Sequence, residues 1–117
     1  MNSDYRMGQA DYGPNPFVTN LGCMARKNLF FRAAVWTGEY LQTTLMTIPV
    51  RAEIGLELHE DTDQMLRIEQ GMGLVMMGAG KDNLDFHQRV MMNDVIFVPA
   101  GTWHNIVNIG RVPLRLT

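Results

Sequence analysis

Two stretches of the chain concentrate side chains able to do chemistry. The first runs Gly55-Leu56-Glu57-Leu58-His59-Glu60-Asp61-Thr62-Asp63-Gln64 and is followed by Gln70-Gly71. The second runs Asn93-Asp94-Val95-Ile96-Phe97-Val98-Pro99-Ala100-Gly101-Thr102-Trp103-His104 and is followed by Asn108. Side chains alternate across a strand, so regular pairing would put Glu57 and His59 on one face. Gln64 follows the acidic turn and shares its side with Leu66 and Ile68, where a polar group needs a partner. His104 shares its face with Ile106. A barrel that brought these strands together would offer two imidazoles, a carboxylate and an amide oxygen. Those donors suit a divalent first-row metal such as Zn, Mn, Fe, Ni or Cu.

The elements that must position these residues read as strands. Apolar, aromatic or alternating runs cover Leu29–Trp36, Tyr40–Ile48, Glu53–Leu58, Gln64–Glu69, Gly73–Met77, Phe86–Met91, Val95–Val98, His104–Asn108 and Val112–Leu116. Turn residues separate them: Gly38-Glu39, Glu60 to Asp63, Gln70-Gly71, Gly78 to Asn83, Asn93-Asp94, Pro99-Ala100-Gly101 and Ile109-Gly110. Short strands with regularly spaced breakers predict an all-β sandwich or barrel. No stretch sustains a helical period over three turns; Thr19–Asn28 suits a turn or two of helix. Residues 1–27, with Gly8, Gly13, Pro14 and Pro16, read as an N-terminal arm, and residues 28–117 as the β-barrel domain.

Composition bounds the function. A chain of 117 residues, 46% hydrophobic and 19% charged, folds around one core and is not disordered. Its apolar runs fall far short of the ~20 residues of a membrane helix, so no membrane partner is expected. Met1–Gly13 lacks the apolar centre of a signal peptide, which makes a cytoplasmic location the expectation. Cys23 is the single cysteine, which excludes an internal disulfide and a Cys-based zinc site. A net charge of -2 with interspersed signs argues against nucleic acid. What remains is a small soluble domain.

The two stretches resemble the paired motifs of the cupin family, G-x5-H-x-H-x(3,4)-E-x6-G and G-x5-P-x-G-x2-H-x3-N. The second is met by Pro99, Gly101, His104 and Asn108, with Asn93 in place of the leading Gly. The first ends at Gly71, counts back through Gln64 at the Glu position, and places His59 and Glu57 on H-x-H, with Arg51 for the leading Gly. With the strand pattern, the resemblance covers Tyr40–Thr117. It implies an antiparallel double-stranded β-helix, the jelly-roll cupin barrel, with a metal held by Glu57, His59, Gln64 and His104. The usual site has three neutral His and one carboxylate. Moving the carboxylate to Glu57 and a neutral amide to Gln64 keeps the ligand charge at −1, but the amide oxygen is the weaker donor.

Two functions follow from the resemblance. One is a metal-dependent enzyme acting on a sugar derivative or an oxygenated acid, of isomerase/epimerase or dioxygenase type. Mannose-6-phosphate isomerase-like cupins belong to the comparison, although no Lys/Arg cluster marks a phosphate pocket. Glu57 would serve there as ligand or as general base. The alternative is a non-catalytic small-molecule ligand binder or sensor with a weak or empty site, favoured by the degenerate first motif.

Simpler readings stand beside these. Asp61 and Asp63 suit a solvated turn, His87 a surface position, Cys23 a small packed residue, and the ten Met adaptable filler. Glu53–Leu58 carries a conflict, because strict alternation opposes Glu57 and His59 to Ile54, Leu56 and Leu58. If the polar pair faces inward, the apolar trio forms an outward row. A homodimer would cover it, assisted by the Met1–Asn20 arm. The site reading predicts that His104→Ala abolishes metal uptake while His87→Ala leaves it intact, as metal analysis of untagged protein would show.

Overall fold

The computed structural model describes residues 10–117. Asn20 opens the one helix among them, α1 (Leu21–Lys27), by accepting the Cys23 amide at 2.8 Å, and Arg26 and Lys27 close its last turn. These are the signals that start and stop a short helix. Eight strands follow: β1 (Arg32–Thr37), β2 (Gln42–Ile48), β3 (Gln64–Gln70), β4 (Met72–Gly78), β5 (Phe86–Met91), β6 (Val95–Val98), β7 (Trp103–Asn108) and β8 (Leu114–Leu116). All pairings are antiparallel, in a five-stranded sheet β1-β2-β8-β3-β6 and a three-stranded sheet β5-β4-β7. The observed architecture is all-β, as the breakers predict, and is the jelly roll that the resemblance implies.

Alternation builds the core between the sheets. Ile48, Leu66, Ile68, Ile96, Val98, Leu114 and Leu116 from the larger sheet meet Val75, Met77, Val90 and Ile106 from the smaller. Each fully buried Ile or Leu contributes roughly 1.5–3 kcal/mol by transfer from water. A second cluster lies on the outer face of the larger sheet, where Ala25, Leu21 and Met24 of α1 cover Val35 and Leu45. Strand β2 therefore buries both faces at its end, Leu45 outward and Met46 and Ile48 inward.

Helix α1 lies just ahead of the expected boundary between residues 27 and 28 and packs on the larger sheet. Arg115 of β8 donates to the carbonyls of Ala25 and Asn28, which ties the helix end to the sheet. Residues 1–9 of the expected arm lie outside the described residues. The remainder packs on its own chain. The Tyr12 amide donates to Val35 O at 2.7 Å, Asp11 accepts from the Thr37 amide at 2.9 Å, and Trp36 Nε1 donates to Asn15 O at 2.7 Å. Asp11, Tyr12 and Asn15 thus bind β1 of their own chain.

Glu53–Leu58 is not the expected strand. It runs beside β7 through two isolated bridges, Glu53 to Val107 and Glu57 to His104. Between them this segment advances four residues while β7 advances three, so one residue is extra. Gly55 absorbs it with φ 99°, and its amide donates to Asn105 Oδ1 at 3.0 Å. An extra residue reverses the phase of alternation. Ile54 packs against the core before the slip, and Glu57 faces His104 after it. The outward row of Ile54, Leu56 and Leu58 consequently does not form, and Leu56 is its exposed member.

Arg51 and Asn93 stand where the two motifs have their leading glycines, and both hold left-handed backbone, with φ 71° and 76°. Asn visits this region readily and Arg does so at a cost of about 1–2 kcal/mol. Arg51→Gly relieves that cost while adding unfolded-chain entropy worth about 0.5–1 kcal/mol. Urea unfolding should therefore show Arg51→Gly at or above wild-type stability. The β-branched Arg51→Val should fall below wild type by about 1 kcal/mol or more.

Candidate metal centre

Three ligand-bearing side chains converge at one end of the two sheets. His104 sits at the start of β7, and the bulged segment lays Glu57 against it through reciprocal backbone hydrogen bonds of 2.9 and 3.0 Å. His59 follows two residues on, anchored where its carbonyl accepts the Gly101 amide at 2.8 Å. Gly101 takes φ 79° there, and the neighbouring Ala100 amide donates to Asp63 Oδ1 at 2.9 Å. The loops of the two motifs are thus tied to each other. One ligand atom from each of Glu57, His59 and His104 lies within 4.8 Å of the others.

The protonation pattern suits a cation. His104 is 2% exposed, and its Nδ1 lies 3.1 Å from Thr102 O. A carbonyl only accepts, so Nδ1 carries the proton and Nε2 of the neutral ring keeps its lone pair. That Nε2 is 3.6 Å from Glu57 Oε1, as is His59 Nε2. Both distances are too long for hydrogen bonds. His59 Nε2 and Gln64 Oε1 are buried without any hydrogen-bond partner. Orphaned buried polar atoms are costly and call for an explanation. A cation held by Glu57, His59 and His104 supplies one for His59, and those three residues fit it.

Gln64 opens β3 on the larger sheet, opposite Val98 of β6. The three-residue cluster comes from β7 and the bulged segment, so Gln64 would complete the set from across the sandwich. Asp63 is occupied in bonding Ala100, and Asp61 is exposed. His87 is exposed and bonds Leu84 O at 2.7 Å, away from the cluster. Cys23 is a half-buried free thiol on α1. Asn108, the last motif position, holds structure: its Nδ2 donates to Ile48 O and Val112 O at 3.0 Å each.

Arg32 is the residue that sequence reasoning missed. It opens β1 and places a guanidinium nitrogen 2.7 Å from Glu57 Oε2, leaving Oε1 toward the imidazoles. A lone charge inside the apolar run Leu29–Trp36 was the available signal, since such a residue needs a partner. Burial pushes the Glu57 carboxyl up. The Arg32 hydrogen bond and charge, with smaller help from His104 and His59, outweigh that and hold it below the ordinary carboxylate value.

The family model of the cupin domain matches residues 44–117, more than half of the chain. This chain belongs to the cupin family. The cupin is 52% identical over 106 residues to the uncharacterized protein YrkC of Bacillus subtilis, covering 91% of this chain and 57% of YrkC. It therefore spans little more than half of that relative's length. The crystal structure of BH2720 from Bacillus halodurans superposes with a TM-score of 0.89 at 52% identity, covering 91% of this chain and 80% of that one. The Schizosaccharomyces pombe Cnp3 cupin domain shares the fold, with a TM-score of 0.65 at 24% identity over 73% of this chain and 58% of that one. Arg32 lies ahead of the matched region of this cupin, which is why the motif could not announce it.

A lowered carboxyl carries a defined pH signature. The Glu57 contribution to stability is full above its unfolded value near 4.5 and is lost as pH falls through the lower folded value. Half-exposed Arg32 limits it to about 1 kcal/mol or less. Urea unfolding from pH 7 to pH 3 should show wild type losing this increment at the acid end, while Glu57→Gln lacks it throughout.

Proposed function

We propose that this cupin binds a divalent first-row metal through His59, His104 and Glu57, with Gln64 as a weaker fourth donor. The bound metal would present a small oxygen-bearing molecule with a Lewis acid at the end of the barrel. The observation that carries this reading is the convergence of three ligand atoms within 4.8 Å, together with a buried His59 Nε2 that has no hydrogen-bond partner. When bound, such a metal polarises a carbonyl or steadies an enolate. The chain's own residues do the rest: Thr102 fixes the His104 tautomer and Arg32 fixes the rotamer of Glu57. A carboxylate held low by a guanidinium is a poor proton acceptor, so Glu57 acts as ligand in preference to general base.

A second reading is a non-catalytic binder built on the same centre. The observation favouring it is that the carboxylate at the site is engaged by Arg32, leaving no unengaged carboxylate among the described residues of the cluster. We place either protein in the cytoplasm on the strength of the sequence reading. Metal analysis separates the premise from its absence. About one Zn, Mn, Fe, Ni or Cu per chain should survive gel filtration of untagged protein. His59→Ala should lower the content at least tenfold, in line with loss of one of few ligands. A wild-type protein that stays metal-free after incubation with each of the five ions would sink the reading.

A further inference from the structure

Arg32 is placed to do more than hold Glu57. One of its nitrogens donates to Glu57 Oε2, and its remaining N–H groups make no hydrogen bond to the described residues. The side chain is 46% exposed, so these donors are open to solvent beside Glu57. A guanidinium carries five N–H donors in a planar fork, of which this contact uses one. The walls nearby are apolar. Met46 pairs with Arg32 across β1 and β2, Met77 pairs with His104 across β4 and β7, and both Met are buried. Low-dielectric walls strengthen the field of whatever charge the opening holds.

That charge is positive once the centre is loaded. Glu57 and Arg32 cancel, and His59, His104 and Gln64 are neutral donors, so a divalent cation would leave the site close to +2. The nearest acidic residues in sequence do not offset it from within: Asp63 is turned to the Ala100 amide, and Glu60 and Asp61 are exposed in the turn. A neutral sugar derivative makes no use of such an excess. A phosphate dianion is ordinarily met by several cations, and one Arg matches a single carboxylate better.

We propose that the molecule received at this site is a small carboxylic acid, its anionic group paired with Arg32 beside the metal centre. The inference rests on the metal reading above and chooses the oxygenated acid over the sugar derivative. It also makes Arg32 a specificity-determining residue that lies outside the matched family region of residues 44–117.

Cobalt(II) and glycolate test it, with ethylene glycol as the uncharged control of equal carbon number. Visible absorption of the cobalt-loaded, untagged protein is recorded first without any organic ligand. Glycolate at millimolar concentration should then shift the cobalt bands saturably, and ethylene glycol at the same concentrations should not. Arg32→Gln should weaken glycolate binding about tenfold or more, the usual effect of losing a charge-assisted hydrogen bond, and Arg32→Lys should restore part of it. Equal responses to glycolate and ethylene glycol, or glycolate affinity unchanged in loaded Arg32→Gln, would overturn the proposal while leaving the metal reading intact. A wild-type protein that takes up no cobalt fails at the first spectrum and removes both. If Arg32→Gln does not load, the comparison of acid with diol on the wild type decides.

Discussion

The site depends on one irregularity, the extra residue at Gly55 between the two bridges to β7. Strict alternation sets an apolar residue at position 54 and a carboxylate at position 57 on opposite sides, and only one of them can face the interior. The slip lets Ile54 complete the core and Glu57 meet His104 on the same segment. Asn105 stabilises it from the neighbouring strand, accepting the Gly55 amide and donating to Glu53 Oε1 at 3.0 Å each. Asn105 is 7% exposed, so both halves of its amide are satisfied where an unmade bond would be expensive.

Electrostatics then couples the two sheets. Glu57 belongs to the margin of the smaller sheet, and burying its charge opposes the fold. Arg32 comes from the edge strand of the larger sheet and offsets that cost across the opening of the sandwich. The departures from the family pattern are consistent with one another in this light. The carboxylate has moved from the Gln64 position to the Glu57 position, where a guanidinium can reach it. Gln64 stays as a neutral acceptor with a buried, unpartnered oxygen. A metal centre of the proposed kind would keep the donor count that the family resemblance implies and, with Arg32 beside it, would carry more positive charge.

The motif positions divide by physical role. Arg51 and Asn93 show that the leading glycines answer a backbone requirement, since left-handed φ persists without glycine at either place. Gly71, at φ 94°, meets a second demand: a Cβ there would lie 3.0 Å from Pro113 O. Asn108 pins the end of β2 and the approach to β8, and His104 alone of the second motif offers a ligand atom. Much of what reads as a site signature is therefore scaffold, and that is why the fold survives substitutions that alter the chemistry.

The strands β2 to β7 and the breakers between them were legible in the sequence because period-two burial and turn chemistry are local properties. His59 and His104 were legible for a related reason: motif spacing encodes which loops must meet. The short helix was legible only as the turn or two expected over Thr19–Asn28. Three things were decided only in three dimensions. The phase of residues 53–58 depended on a glycine's φ and on an asparagine fifty residues away. Arg32 reached the site because β1 closes the larger sheet beside it, a contact of sequence separation that no local pattern carries. The lead-in from residue 10 and α1 joined the body because β1 and β2 offered Val35 and Leu45 on their outer face. Each is a long-range choice between two locally acceptable placements, and burial of apolar surface and pairing of charge across elements made it.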